Sequence, residues 1–180
     1  EINNMIEKAK YTDMYFPLLL ESMSGLRRGE LLALRWEDID LEKKVIHVHR
    51  NRVYAGGKVY EKRPKTESSI RDITFGDRMK EAMIDEYQRY LDDKAEYGVL
   101  FKDDGYVIRQ WNGAPYHPQS WKCKWQRFTD SAGLQHIRFH DLRHSHCTAL
   151  LESGVPMKTV QYRMGHASIQ TTMDIYAHCT

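Results

Sequence analysis

Val45-Ile46-His47-Val48-His49 is the stretch that decides what kind of fold this chain makes. Ile46 and Val48 alternate with polar neighbours, the two-residue period of a strand that lays one face on a core. Further on, Gly56-Gly57 supplies the residues a tight hairpin turn needs, and Val59-Tyr60 resumes an extended run. A polar loop from Pro64 to Ser69 then leads to another strand, Ile70 to Phe75. The middle of the chain therefore reads as a small antiparallel sheet of about three strands.

On both sides of this sheet the period changes to that of helices. Residues 3 to 21 have helical character and end near Ser24-Gly25, and a short helix follows from about Arg28 to Leu34. After Gly76 the chain is mainly helical, beginning with residues 77 to 92. Trp121, Trp125 and Phe128 fall at i, i+4, i+7 in the next helix, with Pro118 near its start. His140 to Glu152 is another, stopped by Gly154, and Pro156 opens a helix with Met157, Val160 and Met164 on one face. Ser168 suits the N-cap of the last helix, where Ile169, Met173 and Tyr176 share a stripe. The expected fold is mainly α with a small three-stranded antiparallel sheet (α+β), a single domain over residues 1–180.

Of the 180 residues 41% are hydrophobic and 29% charged, an ordinary globular balance. No apolar run approaches the roughly 20 residues a membrane span requires, and no signal-peptide pattern opens the chain. Cys123, Cys147 and Cys179 lack C-x-x-C spacing, which suits a reduced, cytoplasmic protein. The first residue is Glu1, and the chain is expected to be one part of a longer polypeptide. A net charge of +2 is weak evidence for a nucleic-acid partner. Lys62, Arg63 and Lys65, and again Lys122, Lys124 and Arg127, form local basic clusters that could bind phosphates or simply be solvated surface.

The chemistry lies in segments spread along the chain: Ser24-Gly25-Leu26-Arg27-Arg28-Gly29-Glu30-Leu31, Pro64-Lys65-Thr66, His140-Asp141-Leu142-Arg143-His144, and Met164-Gly165-His166 with Tyr176 beyond it. Each is weak alone; their order and separations are the signal. In that order they resemble the tyrosine recombinase, or phage integrase, family, from Gly25 to Tyr176. The family's pattern is an arginine after Gly-Leu, a lysine in a β-turn, His-x-x-Arg, Gly-His and a nucleophilic tyrosine. Here these correspond to Arg27, Lys65, His140 with Arg143, His166, and Tyr176, with Arg28 left open as the rival of Arg27. Two departures stand out. Met23-Ser24 occupies the place where many relatives have a threonine, and the chain ends soon after Tyr176, where relatives usually carry a segment that docks on a neighbouring subunit.

The resemblance implies the tyrosine recombinase catalytic-domain fold and site-specific cleavage and rejoining of duplex DNA through a 3′-phosphotyrosine intermediate, with no cofactor, metal or ATP. It also implies an N-terminal DNA-clamping domain outside this chain, and a homotetramer on two duplexes in the full-length protein, the fragment itself being monomeric and unattached to membranes. Physical chemistry makes sense of the residue types. Arg27 and Arg143 present planar forks that match the non-bridging oxygens of a phosphate gaining charge. A phenol ionises near about pH 10, so Tyr176 needs a base, and His140 is suited to that. Lys65 could protonate the departing oxygen, His166 could donate to a phosphate oxygen, and Glu30 is expected to be a buried carboxylate that orients Arg27.

Plainer readings stand beside each of these. Arg27 and Glu30 could be a surface i, i+3 pair, Lys65 a solvated lysine, and Tyr176 a core aromatic. His136, His140 and His144 at i, i+4, i+8 raise a metal site, although Asp141 replaces the glutamate a zinc hydrolase wants. Asp38 with Asp40 and Asp103 with Asp104 would suit a two-metal nuclease, but read as surface carboxylates in turns. The rival functions are a type IB topoisomerase and a DNA-binding module without chemistry.

Overall fold

The computed structural model describes residues 2–64, 67–134 and 137–179. The helix expected over residues 3 to 21 is two helices, α1 (Ile2–Ala9) and α2 (Tyr15–Ser24). They part where the Thr12 hydroxyl turns back to donate to the Ala9 carbonyl at 2.8 Å. Leu18, Leu19 and Leu20 bury α2 all round, as a helix through the middle of a core requires. Next come α3 (Arg28–Ala33) and a single 3-10 turn, Trp36–Asp38.

The sheet region is built from β1 (Ile39–Asp40), β2 (Val45–Val48), β3 (Asn51–Ala55), β4 (Lys58–Lys62) and β5 (Arg71–Thr74). Its composition corrects the expectation. The three-stranded antiparallel sheet has the order β1-β2-β5, while β3 and β4 make a separate hairpin. Val59-Tyr60 thus belongs to the hairpin, and the third strand of the core sheet is Ile39–Asp40, too short to show a period. Gly56 and Gly57 do turn the hairpin, at φ 58° and 78°. In the core sheet Ile46 faces Ile73 and Val48 faces Arg71, and these four side chains are all buried. On the outer face His47 and Asp72 pair at 2.7 Å. Asp38 is no surface carboxylate: it is buried, accepting from the Arg35 amide and from Arg50, each at 3.0 Å.

Among the described residues the α-helices that follow are α4 (Asp77–Tyr97), α5 (Pro118–Ser131), α6 (Phe139–Glu152), α7 (Met157–Met164) and α8 (Ile169–Cys179). Trp121 and Trp125 of α5 meet Phe139 edge-on at 5.6 and 5.1 Å, which joins α6 to the main core. A smaller apolar cluster, Cys147, Val160 and Met164 with Ile175, binds α6, α7 and α8 together. Ser168 caps α8, its hydroxyl accepting from the Gln170 amide at 3.2 Å. The Ile169, Met173 and Tyr176 stripe is exposed rather than core, because α8 turns Thr172 and Ile175 inward instead. Among the described residues no helix is long and apolar enough to cross a membrane.

Candidate active site

Two helices end side by side on left-handed glycines, α2 at Gly25 (φ 64°) and α7 at Gly165 (φ 65°). Carbonyls at the last turn of a helix lack intrahelical partners and carry partial negative charge. Here arginines take them. Arg143 donates to the Gly25 carbonyl at 2.5 Å and to that of Met164. Arg27 donates to Gly165 at 2.6 Å, Arg71 to Arg163 at 2.6 Å, and Arg163 to Met23 at 3.0 Å. Three consecutive carbonyls, 163 to 165, are thus held by three different guanidinium groups. Glycine is needed for room as well as for φ: a Cβ on Gly25 would lie 2.7 Å from the His146 ring, and one on Gly165 2.9 Å from Arg71.

Beneath this layer Glu30 is almost fully buried and uses both of its oxygens twice. Oε1 accepts from Arg27 at 2.9 Å and from Arg71 at 3.0 Å; Oε2 accepts from Arg71 at 2.9 Å and from the Arg27 amide at 2.8 Å. Burial alone would raise the Glu30 carboxyl, but hydrogen bonds and charge from Arg71, with charge from Arg27, outweigh it and hold the group below its ordinary value. Arg27 is therefore not half of a floating surface pair, since its partner is fixed from behind. Removing one member of a buried pair such as Arg71–Glu30 costs on the order of 3–5 kcal/mol.

Above the arginines opens a cleft of about 530 Å³ lined by Arg27, His140, Arg143, His144, His166 and, from α8, Thr171, Asp174 and Ile175. Of the residues singled out in the sequence, Arg27, His140, Arg143 and His166 line this one cleft, with Glu30 bonded to Arg27. Tyr176 is the next residue after Ile175 on the helix that forms one wall, and its side chain is partly exposed. Lys65 and His136 lie outside the described residues. Arg28 is exposed and faces a neighbouring groove of about 760 Å³, which runs past Lys122, Gln126 and Arg138 and shares Arg27 and His140 with the cleft.

The electrostatics favour an anion. Burial, then the charge of Arg27, brings Arg143 down to about 10. His166 falls to about 4 through burial and the pull of Arg143, Arg27 and Arg71. His140 is lowered by burial, by His144 and by Arg143. Both shifts favour the neutral imidazole, so the cleft carries its positive charge on guanidinium groups and leaves His140 suited to accept a proton. The His166 Nδ1 lies 2.9 Å from the Thr172 hydroxyl, which fixes its ring against α8. Nearby Glu21 is buried, with neither carboxyl oxygen hydrogen-bonded among the described residues. Burial raises it well above the usual carboxylate range against the pull of Arg143, so it offsets little of this charge.

Sequence reasoning missed three of these residues. Arg71 shares strand parity with Ile73 and Phe75, so a charge on a core-facing position was a visible signal that a buried partner existed. His144 was weighed only as a metal ligand, yet its ring meets that of His140 at 4.7 Å inside the cleft. Glu21 sits in an apolar helix and carried no signal beyond its incongruity there.

Known proteins match most or nearly all of the chain. A "Tyrosine recombinase XerC-like" protein of Caldanaerobacter subterraneus is 33% identical over 99% of this chain and 49% of its own length. The ICEBs1 integrase of Bacillus subtilis is 34% identical over 87% of this chain and 42% of its own. The chain spans about half the length of these relatives. The structure of the Tn1549 transposon integrase in complex with transposon right end DNA superposes with a TM-score of 0.81 at 26% identity, covering 99% of this chain and 60% of that one. The crystal structure of XerA recombinase shares the fold, with a TM-score of 0.74 at 23% identity over 98% of this chain and 57% of its own. The model of the phage integrase family matches residues 1–180, and the chain belongs to that family.

Proposed function

We propose that this chain is the catalytic domain of a site-specific recombinase that breaks and rejoins duplex DNA through Tyr176. The observation that carries the reading is the arginine-floored cleft walled by the helix that bears this tyrosine. A phosphodiester seated there would meet the forks of Arg27 and Arg143 at its non-bridging oxygens. The Tyr176 oxygen attacks phosphorus and its proton passes to neutral His140; the bond to the 5′ oxygen breaks, and that oxygen takes a proton from Lys65. His166 Nδ1 lies 2.9 Å from the Thr172 hydroxyl; in the tautomer where that hydroxyl donates, the ring proton sits on Nε2 and serves a phosphate oxygen. A 5′ hydroxyl from another strand reverses these steps, so the bond energy is kept in the phosphotyrosine and no ATP is needed. The ICEBs1 integrase and the "Tyrosine recombinase XerC-like" protein among the relatives support a role in moving or resolving DNA segments, and the reading places the protein on duplex DNA in the cytoplasm. The preceding clamp domain and the homotetramer on two duplexes belong to the same reading.

The test is covalent trapping by the intact protein on a duplex nicked beside its cleavage site, with and without EDTA. The expected result is a protein–DNA adduct of equal yield in both. Cleavage abolished by EDTA and restored by a divalent cation would overturn the reading.

A further inference from the structure

Arg71 connects several separate parts of the site at once. Its side chain is fully buried, and its two terminal nitrogens grip both oxygens of Glu30 at 3.0 and 2.9 Å. Glu30 in turn holds Arg27 by its guanidinium at 2.9 Å and by its amide at 2.8 Å. The Arg71 Nε donates to the Arg163 carbonyl at 2.6 Å, at the end of the helix that leads into Gly165-His166. Its Nη1 also donates to the Ser69 carbonyl at 3.0 Å, in the segment that leads back along the chain to Lys65. Gly165 packs directly on this guanidinium, leaving no room there for a methyl group. One side chain thus meets the strand it stands on, the carboxylate behind Arg27, the turn before His166 and the segment after Lys65.

Burying an arginine on the core face of a strand is costly, and an apolar residue opposite Val48 would stabilise the sheet more simply. What the apolar residue could not do is fix Glu30. A carboxylate with four donors arranged around two oxygens has no rotational freedom left, so the Arg27 fork is pointed before a phosphate arrives. We infer that Arg71 is a positioning residue for the reaction, acting through Glu30 to aim Arg27 and through the Arg163 carbonyl to seat the Gly165-His166 turn. The inference rests on the recombinase reading above.

The experiment compares single-turnover rate constants of adduct formation for the intact wild type, Arg71→Lys and Tyr176→Phe. Two nicked duplexes are used, one with an ordinary scissile phosphate and one whose phosphate carries a methyl group in place of a non-bridging oxygen. The second substrate is neutral in the ground state and carries one negative charge fewer in the transition state, so it depends less on a well-aimed Arg27. Lysine keeps the charge but cannot grip both oxygens of Glu30. Arg71→Lys should lose roughly 10-fold or more on the ordinary phosphate and about 3-fold or less on the methylated one, the scale expected for disturbing one transition-state donor. DNA affinity should be unchanged.

A merely structural role lowers the yield of active protein, or both rate constants by one factor. Equal loss on the two substrates, or none on either, overturns the inference. Should Arg71→Lys not fold, the paired change Arg71→Met with Glu30→Met removes both buried charges at similar volume and is judged by the same substrate ratio. If the wild type forms no adduct, or Tyr176→Phe forms as much, it is the recombinase reading that fails and not the role of Arg71.

Discussion

Glu21 is the residue whose chemistry fits its surroundings least, and this makes it informative. A buried carboxyl without hydrogen bonds favours its neutral form, and its value is raised well above 4.5. The unfolded chain loses this proton near the ordinary value, and the folded chain only at higher pH. Its contribution to stability is therefore full below about pH 4.5 and is lost as pH rises from there through the folded value. Glu21→Gln is neutral at every pH and cannot suffer that loss. Thermal melts of both proteins across pH 4 to 8 should show the variant gaining on the wild type as pH rises; a constant difference would mean that Glu21 ionises as freely when folded as when unfolded. Arg143 and Glu30 are the charges that act most on Glu21, one lowering and one raising its value, so the measurement also reports on the charge behind the cleft.

Among the elements, α7 and its terminal glycine do most to assemble the site, because their last carbonyls are where the arginines meet. Alanine at Gly165 would have to adopt φ 65°, at a cost of about 1–2 kcal/mol, and its methyl would press on Arg71. Gly165→Ala should lower the melting temperature by about 2–8 °C and reduce cleavage by more than the lost stability explains, since Arg27 is bonded to that very carbonyl. Normal cleavage by a destabilised variant would show that the carbonyl layer is scaffolding only. Much at this scale was legible in the sequence. The β2 alternation, the Gly56-Gly57 turn, the Trp121, Trp125 and Phe128 face and the Ser168 cap are all local patterns with local causes. What escaped was set by partners far along the chain. Ile39–Asp40 is too short to carry a period and becomes a strand only because β2 offers it an edge. The Ile169, Met173 and Tyr176 stripe has helical spacing, and the spacing could not say which face of α8 would be buried.

For the whole molecule, the net charge of +2 conceals an uneven arrangement, with guanidinium groups gathered at the ends of α2 and α7 around the buried carboxylate of Glu30. The motif order along the sequence identified which residues belonged together, but not what holds them, because carbonyl–guanidinium bonds between segments more than a hundred residues apart leave no mark in composition or period. The central claim is that this charge serves a phosphate attacked by Tyr176. It is tested most directly by trapping the intact protein on nicked DNA, digesting the adduct and locating the nucleotide-bearing peptide by mass spectrometry. The account predicts a nucleotide remnant on Tyr176 in the wild type, and none in a Tyr176→Phe protein that still folds and binds DNA. A remnant on any other residue, or an adduct formed by the phenylalanine variant, would contradict it.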